Sequence, residues 1–154
     1  MGRRAGHIES DEILMIYRAF RLNDSTARDI MTPRDQVIGI SGDATIIAAA
    51  TQVQREGFSR YPVFRGSIDN VEGLVTGRDI LEAILENRDD ETVSSITRRI
   101  LKFDAAQQSD ELLVVFRDEH IHLGVVTESG KTLGVVTLED VLEELVGEIE
   151  DEKD

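Results

Sequence analysis

Gly73-Leu-Val-Thr76-Gly-Arg-Asp79-Ile-Leu-Glu82 and Gly134-Val-Val-Thr137-Leu-Glu-Asp140-Val-Leu-Glu143 are one pattern written twice, 61 residues apart. Six of the ten positions are identical and two more exchange one aliphatic side chain for another. The match runs upstream without a gap. Ser59-Arg-Tyr-Pro-Val-Phe64 falls on His120-Ile-His-Leu-Gly-Val125, and Asp43-Ala44 falls on Asp104-Ala105. The same order of elements at a single offset marks a supersecondary unit used twice.

Each copy reads as a β-α-β-β-α unit. The first strand is expected over Val37 to Ile40 in one copy and Ile100 to Phe103 in the other. A helix follows, over Thr45 to Glu56 and Ser109 to Asp118, where Ile47, Ala50 and Val53, and Leu112, Val115 and Phe116, recur at helical spacing. Two strands come next: Tyr61 to Phe64 and Val71 to Val75, with Asp69-Asn70 in the turn, then His122 to Thr127 and Thr132 to Val136, with Ser129-Gly130 in the turn. Asn, Asp and Gly suit such turns because they tolerate positive φ. The last helix starts after Thr76 or Thr137, each a good N-cap. One such unit cannot cover both faces of its sheet, whereas two can bury one another about a pseudo-two-fold axis. The expected fold class is therefore α/β (α+β): two pseudo-symmetric repeats packed sheet to sheet, with an N-terminal helix. The amphipathic stretch Ser10 to Leu22 supplies that helix, its Ile13, Leu14, Ile16, Tyr17 and Phe20 crowding one side. The divisions are a connector helix over 1–24, one repeat over 25–87, a polar link Asn87-Arg-Asp-Asp-Glu-Thr92, the second repeat over 92–149, and an acidic tail over 150–154.

Composition narrows the function classes. The chain of 154 residues carries a net charge of −14, with an excess of acid after Glu139. A phosphate backbone needs a basic stripe, so nucleic acid is not an expected partner. There is no Cys, which excludes disulfides, thiolate metal sites and a cysteine nucleophile. No apolar run approaches the ~18 residues that cross a bilayer, and no signal peptide precedes the first charges. The expectation is a soluble chain. Aromatics are 5% and Trp is absent, so the core must be aliphatic.

Thr76-Gly-Arg-Asp79 and Thr137-Leu-Glu-Asp140 sit where a strand hands over to a helix. A helix N-terminus offers free N–H groups and partial positive charge, which suits phosphate. Thr at the cap can donate to phosphate, and Asp one turn in can accept both hydroxyls of a ribose. Seen singly, either motif is also an ordinary capped helix. Its recurrence after Gly and two aliphatic residues in both repeats favours a ribose-phosphate grip.

The pair of repeats resembles a CBS pair (Bateman module) over about Thr26 to Glu148. More narrowly it is similar to the CBS pairs of the CorC/HlyC (CNNM-like) membrane proteins, linked to magnesium and cobalt efflux. Asp29-Ile-Met-Thr-Pro-Arg34, Phe58-Ser-Arg-Tyr-Pro-Val63 and Val136-Thr-Leu-Glu-Asp-Val-Leu-Glu-Glu-Leu-Val-Gly-Glu-Ile-Glu-Asp151 carry that closer match. The resemblance implies a cytoplasmic regulatory module rather than an enzyme, attached in its parent chain to a transport domain at the plasma membrane. It implies a homodimer, and ATP or AMP as regulatory ligand, with Mg2+ accompanying ATP. In the better site, Thr32 and Phe58 would border the adenine, Ser59, Arg60 and Thr137 would face phosphate, and Asp140 would hold the ribose. A second candidate site would use Thr76 and Asp79. There Ile121 replaces Arg60 and Leu123 replaces Pro62, so phosphate loses a cation and the site is expected to be weaker or empty. One departure from the family lies at Val126-Thr-Glu-Ser-Gly130, where an Asp-Glu-x-Gly pattern is more usual.

Other signals carry less. Ser129-Gly-Lys-Thr132 looks like part of a phosphate loop, but a strand follows it where a helix is required. His120 and His122 share one face of an expected strand, and with His7 the only other His and no Cys, no metal site is expected. Three rival readings remain: a structural dimerisation module with an empty cleft, a sensor of AMP or S-adenosylmethionine, and an enzyme acting on a nucleotide. Arg60 favours a phosphate ligand over a sulfonium.

Overall fold

The computed structural model describes Glu12 and residues 25–153, apart from the side chains of position 145 and positions 147–153. Apart from Glu12, the helix expected over Ser10 to Leu22 lies outside the described residues, as do the side chains of the acidic tail. A short helix α1 (Ala27–Ile30) leads into β1 (Thr32–Pro33) and a 3-10 turn, Arg34–Gln36. The first repeat follows as β2 (Ile40–Ser41), α2 (Ile46–Glu56), β3 (Arg60–Arg65), β4 (Ser67–Thr76) and α3 (Gly77–Leu85). After a 3-10 turn at Val93–Ile96 the second repeat runs β5 (Leu101–Asp104), α4 (Ser109–Glu119), β6 (Leu123–Glu128), β7 (Lys131–Thr137) and α5 (Leu138–Lys153). The order β-α-β-β-α occurs twice, as the internal repeat requires.

Local chemistry sets the element ends. Thr45 caps α2 by accepting from the Ala48 N–H at 3.2 Å, and Gly57 ends it at φ 78°. Ser129 (φ 51°) and Gly130 (φ 79°) make the second hairpin turn, as their residue types predict. The first hairpin differs from expectation. It reverses at Gly66 (φ 80°), and Asp69-Asn70 lie within β4. Register shifts at Val63/Phe64 and Phe64/Arg65 let Arg65 pair with Ser67 and tighten the turn. Asp69 is thereby free for another task. Its carboxylate accepts from the Arg34 guanidinium and, at 3.0 Å, from the Thr132 N–H of the other repeat. Those bonds from Arg34 and Thr132 hold its carboxyl below the usual range. The first strand is also shorter and later than Val37 to Ile40, since pairing begins only at Ile40. In the second copy it starts one residue later than Ile100, at Leu101.

Two sheets form, in strand orders β2-β3-β4 and β1-β7-β6-β5. The repeats exchange backbone. β1 precedes the first repeat but pairs antiparallel with β7 of the second, matching Thr32 with Val135 and Pro33 with Gly134. In return Arg98, which precedes the second repeat, bridges Leu74 of β4 through reciprocal N–H···O bonds of 2.7 and 2.8 Å. Gly73 and Gly134, one offset apart, permit these approaches. A Cβ at Gly73 would lie 2.3 Å from the Arg98 carbonyl oxygen, and one at Gly134 would lie 2.1 Å from that of Thr32.

The core has three parts. Within the first repeat, Ile40, Ile46, Tyr61, Val63, Val75 and Ile80 pack sheet on helix. Within the second, Leu101, Phe103, Leu112, Phe116, Val126 and Val136 do the same. Between the sheets lie Val71, Leu74, Ile100, Leu123, Val125 and Val135. Each fully buried aliphatic side chain contributes about 1.5–3 kcal/mol, so the middle cluster ties the repeats into one body and fixes the clefts at their edges.

Candidate nucleotide clefts

Two clefts flank the pseudo-two-fold axis. The first, of about 230 Å³, is lined by Thr32, Phe58, Arg60, Thr137 and Asp140, together with Val37 and Ile38. The chain positions these residues from four places. Thr32 stands on the exchanged strand β1. Val37 and Ile38 line the wall because the segment before Ile40 is not taken up in a strand, a role the residue pattern alone did not reveal. Phe58 is 55% exposed at the mouth. Its N–H donates to the hydroxyl of the buried Tyr61 at 2.8 Å, and the two rings meet edge to face at 6.0 Å. That pair of contacts fixes the loop between α2 and β3.

At the other wall, Thr137 ends β7 and Asp140 lies in the first turn of α5. They form a reciprocal cap: the Asp140 N–H donates to Thr137 Oγ1 at 3.0 Å, and the Thr137 N–H donates to Asp140 Oδ2 at 2.9 Å. The acceptor side of the Thr137 hydroxyl is thus used, which leaves its proton to donate outward. Asp140 Oδ1 makes no hydrogen bond among the described residues. A half-buried carboxylate oxygen and a hydroxyl donor therefore face a cleft at a helix N-terminus. Arg60, first residue of β3, closes the arrangement. Its guanidinium lies 3.9 Å from Glu139 Oε2 and 3.3 Å from His122 Nδ1.

The second cleft, about 400 Å³, holds Thr76 beside Arg60, Arg98, Arg99, His120 and His122. Thr76 and Asp79 repeat the reciprocal cap, with the Asp79 N–H donating to Thr76 Oγ1 at 2.9 Å. Asp79 itself lines the neighbouring space with Ser59, Gly77 and Arg78, and its carboxylate is taken. Arg98 donates through Nε to Oδ2 at 2.8 Å and through Nη2 to Oδ1 at 2.6 Å. Burial opposes ionisation of Asp79, yet the bonds from Arg98 and Thr76 outweigh it and hold the carboxyl below its usual range. The expectation that this cleft lacks a cation needs correction. Arg98 and Arg99 come from the exchanged segment, whose place in the fold the 61-residue offset does not report. The two histidines also do not lie on a strand: His120 ends α4 at φ 59°, and β6 begins only at Leu123.

Of the residues singled out in the sequence, Thr32, Phe58, Arg60, Thr137 and Asp140 meet in one cleft. Ser59 does not join them. It lies along the start of α3 with Thr76, Gly77 and Asp79, and its carbonyl accepts from the Gly77 N–H at 3.0 Å. Among the described residues no group of three or more His, Asp or Glu is placed to hold a metal ion, and no helix is long and apolar enough to cross a membrane.

The CBS domain family matches the chain twice, at residues 27–86 and 93–147. A Bacillus subtilis protein named UPF0053 protein YhdP is 33% identical over 154 residues, covering 98% of this chain and 35% of that protein. The magnesium and cobalt efflux protein CorC of Vibrio cholerae is 34% identical over 148 residues, covering 96% of this chain and 51% of its own length. The chain thus spans between about a third and half of these relatives. Among solved structures, the CBS domain of the bacterial CNNM/CorC family Mg2+ transporter in complex with ATP superposes with a TM-score of 0.80 at 34% identity, covering 89% of this chain and 98% of that one. Two matched repeats, their exchanged backbone and the shared Thr-x-x-Asp helix starts lead to one conclusion: the chain belongs to the CBS domain family, as a tandem pair of the CorC/HlyC (CNNM-like) kind.

Proposed function

We propose that this chain is a regulatory adenine-nucleotide sensor that binds ATP in the first cleft, as the cytosolic part of a CorC/HlyC-type membrane ion transporter. The observation that carries the reading is the convergence of Arg60 from one repeat with Thr137 and Asp140 from the other. Adenine would lie between Thr32 and Phe58, Asp140 would accept from the ribose, and Thr137 and Arg60 would donate to phosphate. Arginine suits that task because its planar fork is permanently charged. The cleft is small beside the ~300–1,000 Å³ of drug-sized ligand sites, so a triphosphate has to leave it over Arg60, where Mg2+ can accompany it. The related transporter domain solved with ATP supports the same ligand.

Exposed apolar side chains support homodimerisation. Leu81 and Leu85 stand one turn apart on α3 at 57% and 74% exposure, and Val146 of α5, the repeat equivalent of Leu85, is 49% exposed. Contiguous exposed apolar surface marks interaction sites. ATP would act by binding one packing of the dimer better than another, as any ligand-driven shift requires.

Calorimetry with ATP, with and without Mg2+, tests the reading. Saturable binding near one nucleotide per chain is expected, with sedimentation velocity showing an ATP-dependent dimer population. Absence of binding by ATP, ADP and AMP would leave a structural dimerisation module as the better account. A second measurement probes Arg60. Glu139 is 61% exposed and its ion pair with Arg60 is long, so it competes weakly for the guanidinium. Glu139→Gln should strengthen binding of Mg2+-free ATP by about two- to fivefold, the range of an exposed ion pair. Weakened binding would instead assign Glu139 a direct role toward the nucleotide.

A further inference from the structure

The second cleft is not a copy of the first. Leu74 and Val135 are equivalent across the repeat, and the residues paired with them are Arg98 and Thr32. An arginine therefore occupies in the second cleft the place that Thr32 holds in the first. That arginine folds onto Asp79 and takes both carboxylate oxygens. The acceptor a ribose would need is engaged, and Asp79 is only 9% exposed.

What remains is cationic. Arg60, Arg99, His120 and His122 face the same 400 Å³ space, in a chain of net charge −14. Arg99 is held by Glu119 at 2.7 Å, but both partners are substantially exposed, and such pairs are weak. His122 is half-buried. Arginine can only donate, so its 3.3 Å contact with His122 Nδ1 requires a neutral ring with that nitrogen bare.

We propose that the second cleft binds a phosphate-type oxyanion, with no sugar seated in that cleft, held by Arg60 and Arg99 with His120 and His122. The guanidiniums supply fixed charge, and the two imidazoles offer ring N–H donors. Burial and then Arg60 lower the His122 pKa, Glu139 on α5 opposes them, and His120 adds to the lowering. The ring's second proton must go to Nδ1, where Arg60 now donates; an anion that draws the guanidinium away frees that nitrogen and offsets the repulsion, so the anion binds more tightly as pH falls through the His122 titration. This does not rest on the nucleotide reading. Two sources share this chemistry, an anion free in solution and the terminal phosphate of a nucleotide seated in the first cleft, since Arg60 borders both.

The test is NMR of the full chain, whose three histidines are His7, His120 and His122, titrated with pyrophosphate, adenosine and ATP. Pyrophosphate is expected to shift the His120 and His122 ring signals while leaving His7 in place. It should bind more tightly at pH 6 than at pH 8, and about fivefold more weakly in Arg99→Ala, an exposed position whose loss spares the fold. Adenosine should leave both rings unmoved. Shifts from pyrophosphate that persist under saturating ATP assign a free anion. Shifts from ATP that vanish in Asp140→Ala, with those from pyrophosphate retained, assign the nucleotide tail. The proposal is overturned if neither anion moves His120 and His122, if His7 responds equally, or if adenosine moves them.

Discussion

Asp140→Ala should weaken ATP binding about a hundredfold, or about 2.7 kcal/mol, when parent and variant are titrated by calorimetry. The carboxylate has two tasks. Oδ2 accepts the Thr137 N–H and so caps α5, and Oδ1 is the oxygen left for a ribose. Alanine removes both, and loss of a cap alone costs about 1 kcal/mol of stability. Asp140→Asn separates them. Its amide oxygen can still accept from Thr137, which turns the NH2 toward the sugar and presents a donor where the ribose needs an acceptor. The Asn variant should therefore melt like the parent and still bind ATP poorly. Parent-like affinity in Asp140→Asn would remove the ribose role from this residue. Asp79→Asn is the matched control. Arg98 already occupies that carboxylate, so the variant should lose stability, as the guanidinium is left with a weaker partner, and keep its ATP affinity.

The contrast between the two aspartates marks where sequence reading succeeds and where it stops. The repeat and its elements were legible because hydrophobic period, cap residues and the recurring Thr-x-x-Asp are local properties, and local properties survive translation by a fixed offset. Of the first cleft, only the turn from Thr137 to Asp140 was legible in that way; Met31-Thr32-Pro33 and Phe58 to Val63 entered through the resemblance to CBS pairs. Three features were not legible. The turn at Gly66 was hidden because Asp69-Asn70 is the stronger turn signal, whereas Asp69 is used to bind Arg34 and Thr132 across the repeat boundary. The walls at Val37 and Ile38 were hidden because an aliphatic run reads as a strand whether or not a neighbour pairs with it. The Arg98 latch was hidden because the exchanged segments do not obey the 61-residue offset. Thr32 and Arg98 are equivalent by the strands they meet and not by their distance along the chain.

That exchange makes a second prediction. Gly134→Ala should destabilise the protein by about 3 kcal/mol, as overpacking a closed contact does, lowering Tm by about 6–12 °C in a domain of this size. Its Cβ would stand 2.1 Å from the Thr32 carbonyl oxygen and 2.9 Å from Met31 Sδ. The methionine can turn aside, but a backbone oxygen cannot yield without β1 leaving β7. β1 carries Thr32 and leads into the wall at Val37 and Ile38, so ATP affinity should fall along with stability. Gly73→Ala is the symmetric experiment. Its Cβ would stand 2.3 Å from the Arg98 carbonyl oxygen, so it should cost a similar amount of stability. The strand it pushes away carries Arg98 and Arg99, however, and neither lines the first cleft. ATP affinity should survive in Gly73→Ala and fail in Gly134→Ala, measured below the melting range of both. Equal loss of binding in the two variants would mean that the clefts do not depend separately on their exchanged strands. A parent-like Tm for Gly134→Ala would mean that β1 does not hold its place on β7 in solution.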